Sequence, residues 1–241
     1  MAAPTRAIVL VSGAWHGAWC WERVVPLLRA RGHRVHTPEL HATGADDSDP
    51  RTVKLDTWAR QVIELIEPEP SRVLLVGHSR GGAVISRVAE LAPDRVSRLV
   101  YLCAYLLADG DSVAGAARDD PGSLIAPNMV PAQPGVSCTL RPEILREAFY
   151  GDCDDATARD AIRRLRPEPL RPLVTAVRTT PERFGRVPRA YVECTRDRTI
   201  SPDAQRAMRR ALPCEPVFTL ESGHSPFLSR PGELAQVLDR L

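Results

Sequence analysis

Apolar residues along this chain follow two alternating periods. Short unbroken runs, residues 7–11 and 73–76 above all, are long enough for strands buried on both faces and too short for helices. Between such runs the spacing becomes helical: Leu55, Trp58, Val62 and Ile66 line one face, and Val84, Ile85, Val88 and Leu91 another. The pattern predicts strands over residues 7–12, 34–37, 73–76, 96–104, 189–195 and 217–220. It predicts helices over 19–31, 55–66, 202–211 and 231–241, with one more behind the third strand. Gly32 supplies a stop for the first helix, Pro26 bends it or marks a late start, and Pro202 and Pro231 sit in the first turns of the last two. Strands alternating with helices build a mostly parallel, doubly wound sheet of six strands covered on both faces, with right-handed crossovers.

The alternation breaks between residues 107 and 186. That stretch is rich in Pro, Gly, Arg and Asp, with helical patches at 141–149 and 156–165. An insertion of about 80 residues at one place in a compact sheet is expected to form a helical cap over the site. The core is then residues 1–106 and 187–241, and the cap 107–186.

The third strand runs directly into Gly77-His78-Ser79-Arg80-Gly81, which fits G-x-S-x-G. In a strand–turn–helix context this is the nucleophile elbow, where a strained turn lifts a serine hydroxyl above the sheet. The flanking glycines follow from the turn, which brings two backbones too close for a Cβ. A serine hydroxyl is a poor nucleophile near neutral pH and needs a base, which in turn needs an orienting acid. In elbow proteins these follow in the order Ser, Asp or Glu, His, on loops after late strands. Asp197 follows the fifth strand and His224 the sixth, so both fall at the carboxyl edge of the sheet, where ligands bind in doubly wound folds. Ser79, Asp197 and His224 are therefore the candidate catalytic set.

Composition narrows the rest. Lys+Arg 32 against Asp+Glu 30 gives no field that would select nucleic acid or an anionic membrane. The single lysine, Lys54, argues against Schiff-base, Ser–Lys and P-loop chemistry. Six cysteines without C-x-x-C spacing read as buried reduced thiols. No stretch approaches the ~20 apolar residues of a membrane span. Residues 7–11 are too short for a signal-peptide core, and the expected location is cytoplasmic. His33, His36 and His41 lack the ligand partners of a metal site, so no metal and no cofactor is implied. His78 is expected to pack beneath the elbow. Arg159, Arg163, Arg164, Arg166 and Arg171 make the cap basic, read as a solvated face, with docking of an acidic carrier protein or a phosphorylated substrate as the alternative. The expected partner is a small-molecule substrate, and the protein is a monomer or a homodimer.

Over essentially its whole length the chain resembles the α/β-hydrolase superfamily, and within it the small-esterase branch of plant methyl-ester carboxylesterases and hydroxynitrile lyases. The resemblance lies in residues 13–21, Gly-Ala-Trp-His-Gly-Ala-Trp-Cys-Trp, which look like that branch's oxyanion loop. It lies also in Asp197-Arg198-Thr199-Ile200 and Gly223-His224-Ser225-Pro226-Phe227-Leu228, which look like its acid and base loops. It implies an α/β-hydrolase fold and a serine carboxylic-ester hydrolase for a small hydrophobic ester, such as a methyl ester of an aromatic, terpenoid or polyketide acid. The backbone N–H groups of Ala14 and Arg80 would form the oxyanion hole, and Gly13, Trp15 and Ser225 would lie in the substrate pocket. Some superfamily members carry the acid after the fourth strand, where Asp109 and Asp111 stand here. Lyases of the branch have a threonine where this chain has Gly13 and a lysine where it has Ser225. The branch usually has histidine where this chain has Ser12, which either leaves the loop unchanged or loosens it. The rival readings are a lyase or cyclase using the same site, or a ligand-binding receptor.

Overall fold

The computed structural model describes residues 5–241. In chain order the core elements are β1 (Ala7–Val11), α1 (Val25–Arg29), β2 (Arg34–His36), α2 (Leu55–Ile66), β3 (Val73–His78), α3 (Gly81–Leu91) and β4 (Val96–Leu102). The intervening segment carries α4 (Val113–Arg118), β5 (Met129–Gln133), β6 (Ser137–Leu140), α5 (Leu145–Tyr150), α6 (Asp155–Arg164), β7 (Glu168–Pro169) and α7 (Leu170–Val174). The core resumes with β8 (Arg189–Cys194), α8 (Pro202–Ala211), β9 (Val217–Leu220), α9 (Pro226–Ser229) and α10 (Pro231–Asp239).

The six core strands form one sheet in the order β2-β1-β3-β4-β8-β9, every neighbouring pair parallel. The fold is that of an α/β hydrolase. β1 and β3, central in the sheet, are buried at every position, as their unbroken apolar runs require. The edge strands β2 and β9 are partly exposed. No described helix is long and apolar enough to cross a membrane.

Three expectations need correction. The helix expected over 19–31 is a short 3-10 turn at Ala18–Trp21, an irregular turn, and then α1, because Pro26 fits only a first turn. The insertion is not purely helical: β5, β6 and β7 pair into a small antiparallel sheet. The helical patch at 141–149 is a 3-10 turn over Pro142–Ile144 followed by α5. All six cysteines are free and buried.

Candidate active site

Ser79 follows β3 directly, with φ of 51°, a left-handed value that a non-glycine residue adopts only when its surroundings impose it. The turn is fixed from both sides: Ser79 N–H donates to the Leu102 carbonyl at 3.2 Å, and Tyr105 N–H donates to the Ser79 carbonyl at 3.1 Å. Its glycines are required by space. A Cβ on Gly77 would lie 2.6 Å from the Gly81 carbonyl, and one on Gly81 would lie 2.8 Å from the Val11 carbonyl.

The loops after β8 and β9 bring Asp197 and His224 together. His224 Nδ1–H donates to Asp197 Oδ2 at 2.7 Å, and both residues are almost wholly buried. Asp197 Oδ1 accepts the N–H groups of Thr199 (2.7 Å) and Ile200 (3.0 Å), so the carboxylate is aimed from behind. Asp109 and Asp111, the other candidate acids, are exposed, and Asp109 caps Thr179 N–H beside Arg178 instead. His78 packs beneath the elbow as expected and holds the base: its Nε2–H donates to the His224 carbonyl at 2.8 Å, with the two rings 4.5 Å apart. The Cys103 thiol reaches the same carbonyl at 3.5 Å.

The loop after β1 lies against the elbow, close enough that a Cβ on Gly13 would meet Ser79 Cβ at 2.8 Å. Among the described residues nothing accepts the N–H of Ala14 or of Arg80, while the groups around them are tied down. The Arg80 guanidinium donates to the Gly13 carbonyl at 3.0 Å, and His16 Nδ1–H donates to the Ala14 carbonyl at 2.8 Å. Tyr150 O–H completes the buried chain by donating to His16 Nε2 at 2.8 Å. Ser12 is fully buried, and its hydroxyl donates to the His16 carbonyl at 3.5 Å.

An apolar cavity opens over Ser79 between this loop and the insertion, walled by Trp15, Tyr105, Val113, Ile125, Met129 and Leu173. Of the three pocket residues expected, only Trp15 lines it. Gly13 packs back against His78, and Ser225 is wholly buried. The sequence reading missed Glu168 on β7, fully buried in an ion contact with Arg80 at 2.9 Å. It missed Phe149, whose ring lies 5.8 Å from both Trp15 and His224. It also missed Asp152, which accepts Gly223 N–H at 2.9 Å beside the base.

The model of the alpha/beta hydrolase family matches residues 8–237. The chain belongs to that family. Its relatives include putative methylesterase 14, chloroplastic, of Arabidopsis thaliana, 33% identical over 97% of this chain and 71% of that protein. Pyrethroid hydrolase of Sphingobium wenxiniae is 33% identical over 96% of this chain and 85% of its own. The crystal structure of a pyrethroid hydrolase from Sphingobium faniae matches with a TM-score of 0.87 at 31% identity, covering 98% of this chain and 97% of that one. The methylesterase branch is the one its loops resemble.

Outside the site, this alpha/beta hydrolase does supply His33, His36 and His41 with carboxylates, but a different one each: Asp239, Glu69 and Asp46. They converge on no common point because each carboxylate arrives from a separate element. On the basic face, Arg163 and Arg164 pair with Asp160, Arg164 also with Glu22, and Arg166 with Asp47.

The buried imidazoles are expected to make this hydrolase acid-sensitive. Burial draws the His16 pKa down to about 3 and holds His78 well below its ordinary value, with neighbouring positive charge adding to the effect. The unfolded chain protonates both rings near pH 6.5, so below that pH it binds more protons than the folded protein. Their contribution is fully present above pH 6.5 and is lost as pH falls toward the folded values. Between pH 7.5 and 5.5 the two rings should remove about 2–3 kcal/mol of unfolding free energy. Urea unfolding at the two pH values checks this: a midpoint that does not move would mean that the folded protein carries these rings protonated.

Proposed function

We propose that the protein is a carboxylic-ester hydrolase that turns over small hydrophobic esters through an acyl-enzyme on Ser79. The observation carrying this reading is the 2.7 Å bond from His224 Nδ1–H to Asp197 Oδ2, which leaves Nε2 as the unprotonated nitrogen of a neutral base at the sheet edge that also carries the elbow. In the first step His224 Nε2 takes the Ser79 proton as Oγ attacks the ester carbonyl. The oxyanion forms between the N–H groups of Ala14 and Arg80, both left without internal acceptors. Collapse expels the alcohol, which receives the proton from His224. Water, deprotonated by the same ring, then releases the acid and restores Ser79.

The cavity supports an apolar substrate, since its walls are almost entirely hydrocarbon. One side of it is formed by the insertion, through Val113 on α4 and through Ile125, Met129 and Leu173. That position supports a cap role for residues 107–186. The names of the relatives, methylesterase and pyrethroid hydrolase, support ester cleavage and leave methyl esters and bulkier esters both in view.

The test is turnover of a p-nitrophenyl ester series and of methyl esters of aromatic acids, together with mass spectrometry after a fluorophosphonate. Hydrolysis with a single label on Ser79 is the expected result. Ester turnover that survives full labelling of Ser79 would overturn the acyl-enzyme route. Mandelonitrile separates the lyase reading. A threonine at position 13 would drive its Cβ to 2.6 Å from His78 Nδ1, and Ser225 supplies no cation for a departing cyanide. Cyanide release is therefore expected to be negligible, and release rivalling ester hydrolysis would reverse the assignment.

A further inference from the structure

We infer that Glu168, acting with the Arg80 side chain, is a positioning residue that holds the oxyanion-binding peptide in place. The inference rests on the acyl-enzyme reading above. The Gly13 carbonyl and the Ala14 N–H belong to one planar peptide unit, so whatever fixes the carbonyl aims the N–H. Here the carbonyl accepts from Arg80 Nη2 at 3.0 Å. Arg80 is itself paired in charge with Glu168 Oε1, 2.9 Å from its Nε but outside hydrogen-bond alignment, and its guanidinium lies over the Trp58 ring, 4.2 Å from the centroid. The other Glu168 oxygen accepts the Trp15 N–H at 2.9 Å. One carboxylate thus governs both ends of the two-peptide stretch that presents Ala14.

Backbone geometry gives the clamp a purpose. Trp15 has φ of 64°, a conformation that a bulky residue does not hold without help. The help comes largely from the insertion. Besides Glu168, the Arg166 N–H donates to the Trp15 carbonyl at 3.0 Å, and Trp15 Nε1–H donates to the Cys138 carbonyl at 3.1 Å. A wholly buried ion pair is weak evidence for stability, because desolvation offsets much of its attraction. Its placement on this peptide gives it a different role. A cation on a peptide carbonyl also polarises the unit, making its N–H a stronger donor to a developing oxyanion. The seating of β6 and β7 on the core is thereby coupled to the completeness of the oxyanion hole.

The test compares wild type with Glu168→Gln and with the neutral pair Arg80→Met/Glu168→Leu. Each is assayed for melting temperature, kcat and KM on a p-nitrophenyl ester. Inhibition is measured with an alkyl trifluoromethyl ketone, which forms a tetrahedral adduct on Ser79, and with the matching methyl ketone, which does not. The double variant removes both charges at once and so leaves no unpaired buried charge, but it strands the Trp15 N–H and should melt a few degrees below wild type while staying folded. Its kcat should fall about 30- to 300-fold, toward the loss of one oxyanion donor, with KM within about twofold. Its affinity for the trifluoromethyl ketone should fall in parallel, and that for the methyl ketone should stay. Glu168→Gln retains an acceptor for Trp15 N–H but loses the anion facing Arg80, and should show a smaller loss of the same kind. A folded double variant with more than about a third of wild-type kcat, or equal losses for both ketones, would reduce the pair to a structural salt bridge. Should the double variant not fold, an unchanged kcat in Glu168→Gln overturns the inference. A wild-type protein that neither hydrolyses esters nor takes a fluorophosphonate on Ser79 would instead remove the acyl-enzyme reading beneath it.

Discussion

Replacing Ser79 with alanine is expected to lower ester turnover by about 10⁵- to 10⁶-fold while leaving the melting temperature within a few degrees of wild type. The first half follows from the proposed chemistry: without Oγ no acyl-enzyme forms, and only polarisation by the Ala14 and Arg80 amides remains. The second half follows from the elbow. Ser79 carries its left-handed φ of 51° whatever its side chain, and the turn is held by backbone bonds to Leu102 and Tyr105. Alanine has the same Cβ and so neither adds nor relieves that strain. Kinetics on p-nitrophenyl butyrate beside a thermal melt give the answer. More than about a tenth of wild-type turnover in a folded variant would reject Ser79 as nucleophile.

The parts of this site that could be read from sequence are those in which function sits on regular structure. Ser79, Asp197 and His224 each follow a strand that the alternation predicts, so the pattern that builds the sheet also places them along one edge. The insertion was less legible because its strands carry no such signal. β5 includes Pro131 and is half exposed, and β7 is two residues long, so neither shows a period. Glu168 lies in Arg166-Pro167-Glu168-Pro169-Leu170-Arg171, where a charge between prolines and arginines reads as solvated loop. Its partner held the clue. Arg80 stands directly after the nucleophile, at the start of a helix packed under the site, and a guanidinium buried there requires an acid from elsewhere in the chain. Proximity over 88 residues of sequence is what no local pattern conveys.

Asp197→Asn is expected to cost about 10³- to 10⁴-fold in kcat, against less than about twofold for Asp109→Asn. The size of the first effect comes from how the carboxylate is held. Asp197 Oδ1 accepts two backbone N–H groups, from Thr199 and Ile200, and an asparagine must keep its one oxygen there or strand both donors in a buried site. The amide NH₂ then faces His224 in place of Oδ2. Two donors cannot share that 2.7 Å contact, so the imidazole changes tautomer: Nδ1 accepts and Nε2 carries the proton. A ring protonated at Nε2 cannot take the Ser79 proton, although its position is nearly unchanged. Asp109 is exposed, and its replacement should at most weaken a surface cap on Thr179. Matched kinetics and melting curves for the two variants decide the question. The reverse ranking would transfer the acid to the loop after β4, and equal small effects would mean that His224 needs no anionic partner.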